Sequence, residues 1–138
     1  MHQIKRIWWG MAAAMLLLSG AHAKITGDWV TYDDKSGKKK SIVRITKQGE
    51  QISGKIIKLF NPTHTTCVAC VGKLHNKPIV GMTIFRGLKQ KKGVWQGGKI
   101  LDPKNGKRYD CKIWEEGGKL KVRGYIMMFY RTQTWRRR

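Results

Sequence analysis

The feature that most constrains this chain is a succession of short β-type segments and turn signals, which begins at residue 25 and continues to the C-terminus. The segments are rich in Val, Ile, Tyr and Trp, and Gly-, Asn- and Asp-containing turns recur about every 8 to 12 residues, a spacing typical of all-β sandwiches and barrels. Helical periodicity is absent. The pattern predicts about eight strands, at 25–32, 41–47, 51–60, 79–85, 94–101, 107–115, 119–128 and 131–136.

Strands in such simple succession favour an up-and-down antiparallel barrel. Most of the predicted strands are joined by short hairpin turns, and closure of the sheet removes the unpaired edges that an open sheet of this size would expose. A barrel of about eight strands has an interior wide enough for packed side chains or for one small ligand. A seven-stranded sandwich is the alternative architecture.

The first 23 residues have the organisation of a secretory signal peptide. Lys5 and Arg6 precede an apolar run over residues 7–18, and the chain then offers an Ala-x-Ala cleavage site that ends at Ala23. The apolar run is shorter than the ~20 residues that a membrane-spanning helix requires, which argues against a membrane anchor. We therefore predict a signal peptide at 1–23 and a single β-barrel domain at 24–138, located in the periplasm or outside the cell.

The charge of the chain is strongly positive. The formal net charge is +21, and removal of Lys5 and Arg6 with the signal peptide leaves +19 on the mature part. Such an excess attracts polyanions such as lipopolysaccharide phosphates and anionic lipids, although it can also serve solubility alone. A nucleic-acid partner is not expected, because the tryptophans fall on predicted strands and do not interleave with the charge as base-stacking platforms.

The long loop at 61–81, with the sequence NPTHTTCVACVGKLHNKPIVG, is the main interruption of the strand pattern, and it contains His64, Cys67, Cys70 and His75. Two thiolates and two imidazoles at this spacing could bind tetrahedral zinc. Exported thiols meet an oxidising environment, however, so a Cys67–Cys70 disulfide is favoured over zinc. A thioredoxin-like role would need the motif at a helix N-terminus, which the pattern does not supply.

The remaining chemistry of the sequence points away from catalysis. Only His64 and His75 remain as bases after removal of the signal peptide, and neither has an obvious nucleophile as a neighbour. Cys111 lies on the apolar face of its predicted strand and is expected to be a buried free thiol. We therefore predict that the protein is not an enzyme and that it uses no cofactor.

The first predicted strand opens with Gly27-Asp28-Trp29, which resembles the Gly-x-Trp at the start of lipocalins and related ligand-carrying barrels. In those proteins the Trp closes one end of the barrel, and an Arg of the final strand packs over its ring. The resemblance implies that Gly27 and Trp29 close this barrel, with Arg131 or Arg136 as the cation over the indole.

A second resemblance extends over nearly the whole mature chain and is to the bacterial family of domain of unknown function 2147. The matching segments lie at 27–29, 78–82, 98–103, 105–109, 120–125 and 131–135. The resemblance implies an exported, lipocalin-like small β-barrel of no established activity, in which some members carry a Cys-x-x-Cys in the same long loop. This chain departs from the family in having Phe129-Tyr130 where a Gly is expected before Arg131-Thr132-Gln133-Thr134-Trp135, which leaves the last turn undefined.

Three functional hypotheses remain open from the sequence. The first is a binding module whose barrel takes a small apolar or amphipathic ligand. Its candidate cavity residues, chosen because they fall on apolar faces, are Trp29, Val43, Ile45, Ile56, Tyr109, Ile113, Val122, Ile126 and Met128. The second is a solid barrel that acts as a basic interaction protein on anionic envelope components such as lipid or lipopolysaccharide, and the third is zinc or redox chemistry in the 61–81 loop.

Overall fold

The alternation of apolar and polar residues along each strand determines which side chains lie on the inner face of the sheet. In the second strand Val43 and Ile45 are each 1% exposed, whereas Arg44 and Thr46 face solvent. Successive side chains of a strand point to opposite faces, so one apolar row faces inward on each strand. Eight such rows form a common core when the sheet closes.

The computed structural model describes residues 24–138, and the predicted signal peptide and its cleavage site lie outside the described residues. The strands are β1 Gly27–Tyr32, β2 Lys39–Gln48, β3 Gln51–Leu59, β4 Thr83–Lys91, β5 Val94–Asp102, β6 Lys107–Glu116, β7 Lys119–Ile126 and β8 Phe129–Arg137. Each strand pairs antiparallel with the next, and β8 pairs with β1, so the sheet closes into a barrel. The predicted eight-stranded up-and-down barrel is confirmed, as is the long Cys-containing loop between the third and fourth strands.

The strand bounds differ most from the predicted ones at β4 and at the last hairpin. The fourth strand begins at Thr83 because Ile79 donates its N–H to Thr65 within the loop and Gly81 has a φ of 95°, so neither continues a regular strand. At the last hairpin, a two-residue turn, Met127-Met128, lies between the end of β7 and the start of β8. The prediction of a seventh strand that runs to residue 128 was therefore wrong.

The two ends of the barrel differ in what they carry. The closed end holds the start of β1, the end of β8 and three tight hairpin turns at 49–50, 92–93 and 117–118. The opposite end, here called the loop end, carries all the longer connections of the described chain. The longer connections are the β1–β2 loop at 33–38, the β3–β4 loop at 60–82 and the β5–β6 turn at 103–106, and the two-residue β7–β8 turn at 127–128 lies at the same end.

Side chains fill the interior of the barrel. The most deeply buried of them are Trp29, Ile45, Ile52, Leu88, Ile113 and Leu120, each at most 1% exposed. A cavity of ligand size would leave accessible area on the side chains that line it, and these residues have almost none. Two concavities of residues 24–138, about 470 and 330 Å³, are open surface grooves lined by residues of β4, β5 and β6 and by Tyr125 of β7.

Candidate functional site

The closed end is organised around Trp29. Its indole Nε1 donates a hydrogen bond of 2.8 Å to the carbonyl oxygen of Ile25, and the guanidinium of Arg137 lies 4.0 Å from the ring centroid. The same guanidinium donates to the carbonyl oxygens of Thr26, at 2.7 Å, and Lys24, at 2.6 Å. Arg137 thus fastens the segment before β1 to the last strand while it covers the indole.

The structure corrects the choice of the closing arginine. Arg131 and Arg136 were the predicted partners of Trp29, and neither is. Arg136 pairs with Val30 and, one residue along the strand, points to the opposite face from Arg137. Arg131 lies six residues towards the loop end, where its guanidinium is 3.2 Å from the carboxylate of Asp34.

Gly27 takes part in this closure through its backbone. Its φ is 115°, in the region that favours glycine, and a Cβ atom there would lie 2.9 Å from the guanidinium of Arg137. A side chain at position 27 would therefore strain the backbone and displace the arginine that covers Trp29.

The nine predicted cavity residues divide into three groups. Six of them are buried in the core and fill the barrel: Trp29, Val43, Ile45, Ile56, Ile113 and Val122. Tyr109 is partly exposed, and its hydroxyl accepts a hydrogen bond of 2.7 Å from Asn105. The prediction was wrong for Ile126 and Met128, which are 48% and 84% exposed, because the chain turns at Met127-Met128 before they can reach the core.

The β3–β4 loop carries the predicted disulfide, which is confirmed between Cys67 and Cys70. Both cysteines are buried in the core, and the Sγ of Cys67 lies 3.4 Å from the carbonyl oxygen of Pro103 in the β5–β6 turn. A Cβ on Gly106 would lie 2.0 Å from the carbonyl oxygen of Ala69. The loop is therefore packed directly against the β5–β6 turn and covers part of the loop end.

The donor set of this loop does not suit zinc. The two sulfurs that would coordinate the ion are bonded to each other, and the Nδ1 of His75 lies 3.0 Å from the carbonyl oxygen of Cys70. His64 is exposed. Across residues 24–138, no group of three or more His, Cys, Asp or Glu side chains is placed to hold a metal ion.

Cys111 is a free thiol, 3% exposed, whose Sγ lies 3.7 Å from the carbonyl oxygen of Gly98. Burial, followed by the nearby charge of Asp110, raises the pKa of the Cys111 thiol to about 12. A thiolate is therefore strongly disfavoured here, and reactive thiol chemistry is not expected at this position.

The exterior of the barrel carries many cations and few carboxylates. Within the described residues the ion pairs are Arg44–Asp28, Lys99–Asp110, Arg131–Asp34, Arg137–Glu115 and Arg138–Asp28. Asp28 serves two of them, and its hydrogen bonds from Arg44 hold the pKa of the carboxyl below its usual value. Most of the remaining Lys and Arg side chains of the described chain have no carboxylate within pairing distance, so the surface potential is positive.

Exposed apolar residues are concentrated at the loop end. The exposed large hydrophobic residues of the described chain are Val68, Val71 and Val80 in the β3–β4 loop and Ile126, Met127, Met128, Phe129 and Tyr130 in the β7–β8 hairpin. Sequence reasoning missed the second group because it placed residues 126–128 on the seventh strand, with Ile126 and Met128 on its inner face, and left the turn at Phe129-Tyr130 undefined. The signal that could have found them is the Phe129-Tyr130 pair in place of the expected glycine.

The closed eight-stranded sheet and the Trp29–Arg137 closure define a small lipocalin-like barrel. Residues 27–137 match the family described as "Uncharacterized protein conserved in bacteria (DUF2147)", and the chain belongs to this family. A solved structure, described as "Protein HP1028 from the human pathogen Helicobacter pylori belongs to the lipocalin family", has a TM-score of 0.72 and 20% identity over 83% of each chain. At this identity the likeness shows the fold alone. Comparison with curated proteins gives no match.

The disulfide gives information on the cellular compartment of the protein. Disulfides persist in oxidising compartments, so the Cys67–Cys70 bond in a member of a bacterial family indicates an exported protein. In residues 24–138, no helix is both long enough and apolar enough to span a membrane.

Proposed function

We propose that the protein is a non-catalytic binding protein of the bacterial envelope that binds anionic amphiphiles, such as phosphate-bearing lipids or lipopolysaccharide, on its outer surface. The observation that carries the proposal is the filled barrel, in which Ile52, Ile113 and Leu120 are 0% exposed. A filled interior leaves the exterior as the binding surface, and that exterior has a large excess of cations.

Charge gives this surface its selectivity. Five ion pairs in the described residues leave most cations free to meet phosphate groups, and the guanidinium group in particular binds phosphate in a bidentate manner. Each basic residue near an anionic membrane contributes about 1 kcal/mol of attraction at low salt. Several weak contacts of this kind suffice to hold the protein at a phosphate-rich surface.

Capture of a small apolar ligand inside the barrel is less well supported. A ligand of even modest size would have to displace core side chains such as Trp29 and Ile45, and loss of one large core contact typically costs about 2 to 5 kcal/mol. The β3–β4 loop, held by its disulfide and by Gly106, also covers part of the loop end. The fold alone, shared with a protein described as a lipocalin, does not supply a cavity.

Vesicle flotation tests the proposal. The protein, expressed from its full sequence and purified, should float with vesicles of phosphatidylglycerol and phosphatidylethanolamine and with lipopolysaccharide aggregates, but not with phosphatidylcholine vesicles. Binding should fall at least about tenfold between 50 and 300 mM NaCl, because salt screens exposed charges first. Equal binding to neutral vesicles, or binding that ignores salt, would contradict the proposal, and unequal binding to the two anionic surfaces would identify the preferred source of phosphate.

A further inference from the structure

We propose that the β7–β8 hairpin tip, defined as residues 126–130, is the element that enters the lipid when the protein binds an anionic bilayer. The inference rests on the proposed function and names the part of the surface that contacts the acyl chains. It is carried by the exposure of the tip, by its backbone conformation and by the ordered layers of side chains behind it.

The hairpin tip is apolar and exposed, most strongly at its three central residues. Met127 is 93%, Met128 84% and Phe129 73% exposed. Contiguous apolar residues of this size are rarely left in water on a monomeric protein, and where they are, they mark a contact with another molecule or with a membrane.

The conformation of the turn makes this composition more unusual. Met127 has a φ of 52°, in the left-handed region where Gly, Asn and Asp are favoured in two-residue hairpin turns. In the tight turns at the closed end, the positive-φ positions are held by Gly49, Gly93 and Gly117-Gly118 and by Lys92, an exposed residue with a charged side chain. A methionine in this position does not favour folding. Its left-handed backbone conformation costs about 1 kcal/mol, and its side chain exposes apolar surface to water. Binding is the role that accounts for it.

Side chains at the base of the tip and behind it are ordered in layers, as a membrane interface requires. Tyr125 and Tyr130 face each other across the hairpin with ring centroids 5.9 Å apart. At about 3.3 Å per strand residue, this pair lies roughly 7 Å behind the turn. The guanidinium of Arg123 lies 4.3 Å from the Tyr130 ring, and the ammonium of Lys112 lies 5.7 Å from the Tyr125 ring.

This order matches the layers of a bilayer surface. Apolar groups of interfacial segments enter about 5 to 10 Å, whereas Tyr, Arg and Lys remain at the level of the headgroups. The Tyr pair and its two cations therefore meet the phosphates when Met127, Met128 and Phe129 reach the acyl chains.

The charge around the hairpin tip selects an anionic partner. Arg123 donates its Nε–H to Thr132 at 2.7 Å, and within the described residues neither Arg123 nor Lys112 has a carboxylate partner. Arg131 pairs with Asp34, but its side chain stays 76% exposed. A second copy of this chain would bring the same cations face to face, so charge favours a phosphate-bearing lipid surface over self-association.

The hairpin tip is also free to reach a surface. The pairing of β8 with β1 is confined to Trp29–Arg137 and Val30–Arg136, at the closed end. The first part of β8 therefore has no strand partner on that side, where Arg131 and Gln133 contact Asp34 of the β1–β2 loop. That contact leaves Met127 and Met128 93% and 84% exposed, so the turn itself is accessible to a bilayer.

The test replaces the apolar turn without disturbing the hairpin. In the double variant Met127→Gly with Met128→Asn, the glycine takes the position whose φ is 52°, and Gly at the first central position is what a turn with positive φ there favours, so the fold is retained. The matched control is Gly117→Asn, which alters a tight turn at the closed end, where position 117 has a φ of 59°. Both variants and the unmodified protein are compared by flotation with vesicles of 30% phosphatidylglycerol and 70% phosphatidylethanolamine at 150 mM NaCl, and their folding is verified by urea unfolding.

We expect the double variant to bind these vesicles at least about tenfold more weakly than the unmodified protein, since it no longer buries two methionine side chains in lipid. The control should bind normally.

Equal binding by the double variant would overturn the hairpin proposal while the proposed function stands. Failure of the unmodified protein to bind any anionic surface would overturn both, and tip-dependent binding to phosphatidylcholine vesicles would support insertion but contradict the selection of anionic lipid. A change from dimer to monomer in the double variant, without any effect on vesicle binding, would overturn lipid insertion in favour of self-association.

Discussion

At the closed end, a difference of one position along β8 determines which arginine covers Trp29. Arg136 and Arg137 are neighbours in a run of three arginines, yet only Arg137 lies over Trp29. Strand alternation sends the two side chains to opposite faces of β8. A shift of one residue in the pairing of β8 with β1 would exchange their roles.

Replacement of Arg137 by Ala should therefore lower the free energy of unfolding by about 1 to 3 kcal/mol, since it removes the cation over the indole and two hydrogen bonds to backbone carbonyls. Arg136→Ala is the matched control and should change this free energy by less than about 0.5 kcal/mol. Urea unfolding followed by tryptophan fluorescence measures both. Equal effects of the two substitutions would contradict the assignment of Arg137 as the closing residue.

Cys111 gives a second prediction for a single side chain. Burial favours its neutral thiol, so the native protein should react negligibly with a disulfide-exchange reagent at pH 8, and one thiol should react after unfolding without reductant. Because the folded pKa of about 12 is above the ordinary value of 9.0, the stability that this thiol provides is complete below pH 9 and is lost as the pH rises towards 12. Cys111→Ala should unfold with a smaller loss of stability over that range. Three reactive thiols in the unfolded protein would contradict the Cys67–Cys70 disulfide.

Among the connecting elements, the β3–β4 loop depends on a neighbour distant in sequence. Gly106, in the β5–β6 turn, leaves room for the carbonyl oxygen of Ala69, and a Cβ would lie 2.0 Å from that oxygen. The position of the disulfide over the loop end is therefore set partly by a glycine that follows it by more than thirty residues.

Gly106→Ala should detach the β3–β4 loop from the β5–β6 turn and speed hydrogen exchange of the Cys67 and Asn76 amides, whose main-chain hydrogen bonds hold the loop together. Gly37→Ala is the control, because position 37 has a φ of 71°, close to the 70° of position 106, but its added Cβ would meet no atom within 4 Å. Both substitutions carry the same backbone cost. If Gly37→Ala speeds exchange in the loop as much as Gly106→Ala does, the steric contact with Ala69 is not what holds it.

The sequence predicts the regular elements better than their junctions. Alternation in residues such as Val43 and Ile45 identifies inward faces, so the barrel and its strand order follow from local pattern. The turn at Met127-Met128 was missed because nothing local favours it: Met and Phe are not turn formers, and the pairing of β7 with β8 fixes the position. The same pairing exposes Ile126 and Met128, which pattern alone assigns to the interior.

For the whole molecule, the sequence pattern does not distinguish a hollow barrel from a filled one. Both place apolar residues such as Ile45 and Ile113 on inward positions, and only the fit of their volumes decides whether a cavity remains. Here the side chains fill the space, and the combination of a filled core, a basic exterior and an apolar hairpin tip directs binding outward.

The most direct test of this account is methyl NMR of the protein labelled at methionine and titrated with a short-chain phosphatidylglycerol. In the described chain Met82 is 5% exposed within the core, whereas Met127 and Met128 lie on the hairpin tip. The account predicts that the Met127 and Met128 methyl signals shift with lipid concentration while the Met82 signal stays in place. A shift of the Met82 signal, with those of Met127 and Met128 unchanged, would show that the lipid enters the barrel and would contradict binding on the outer surface.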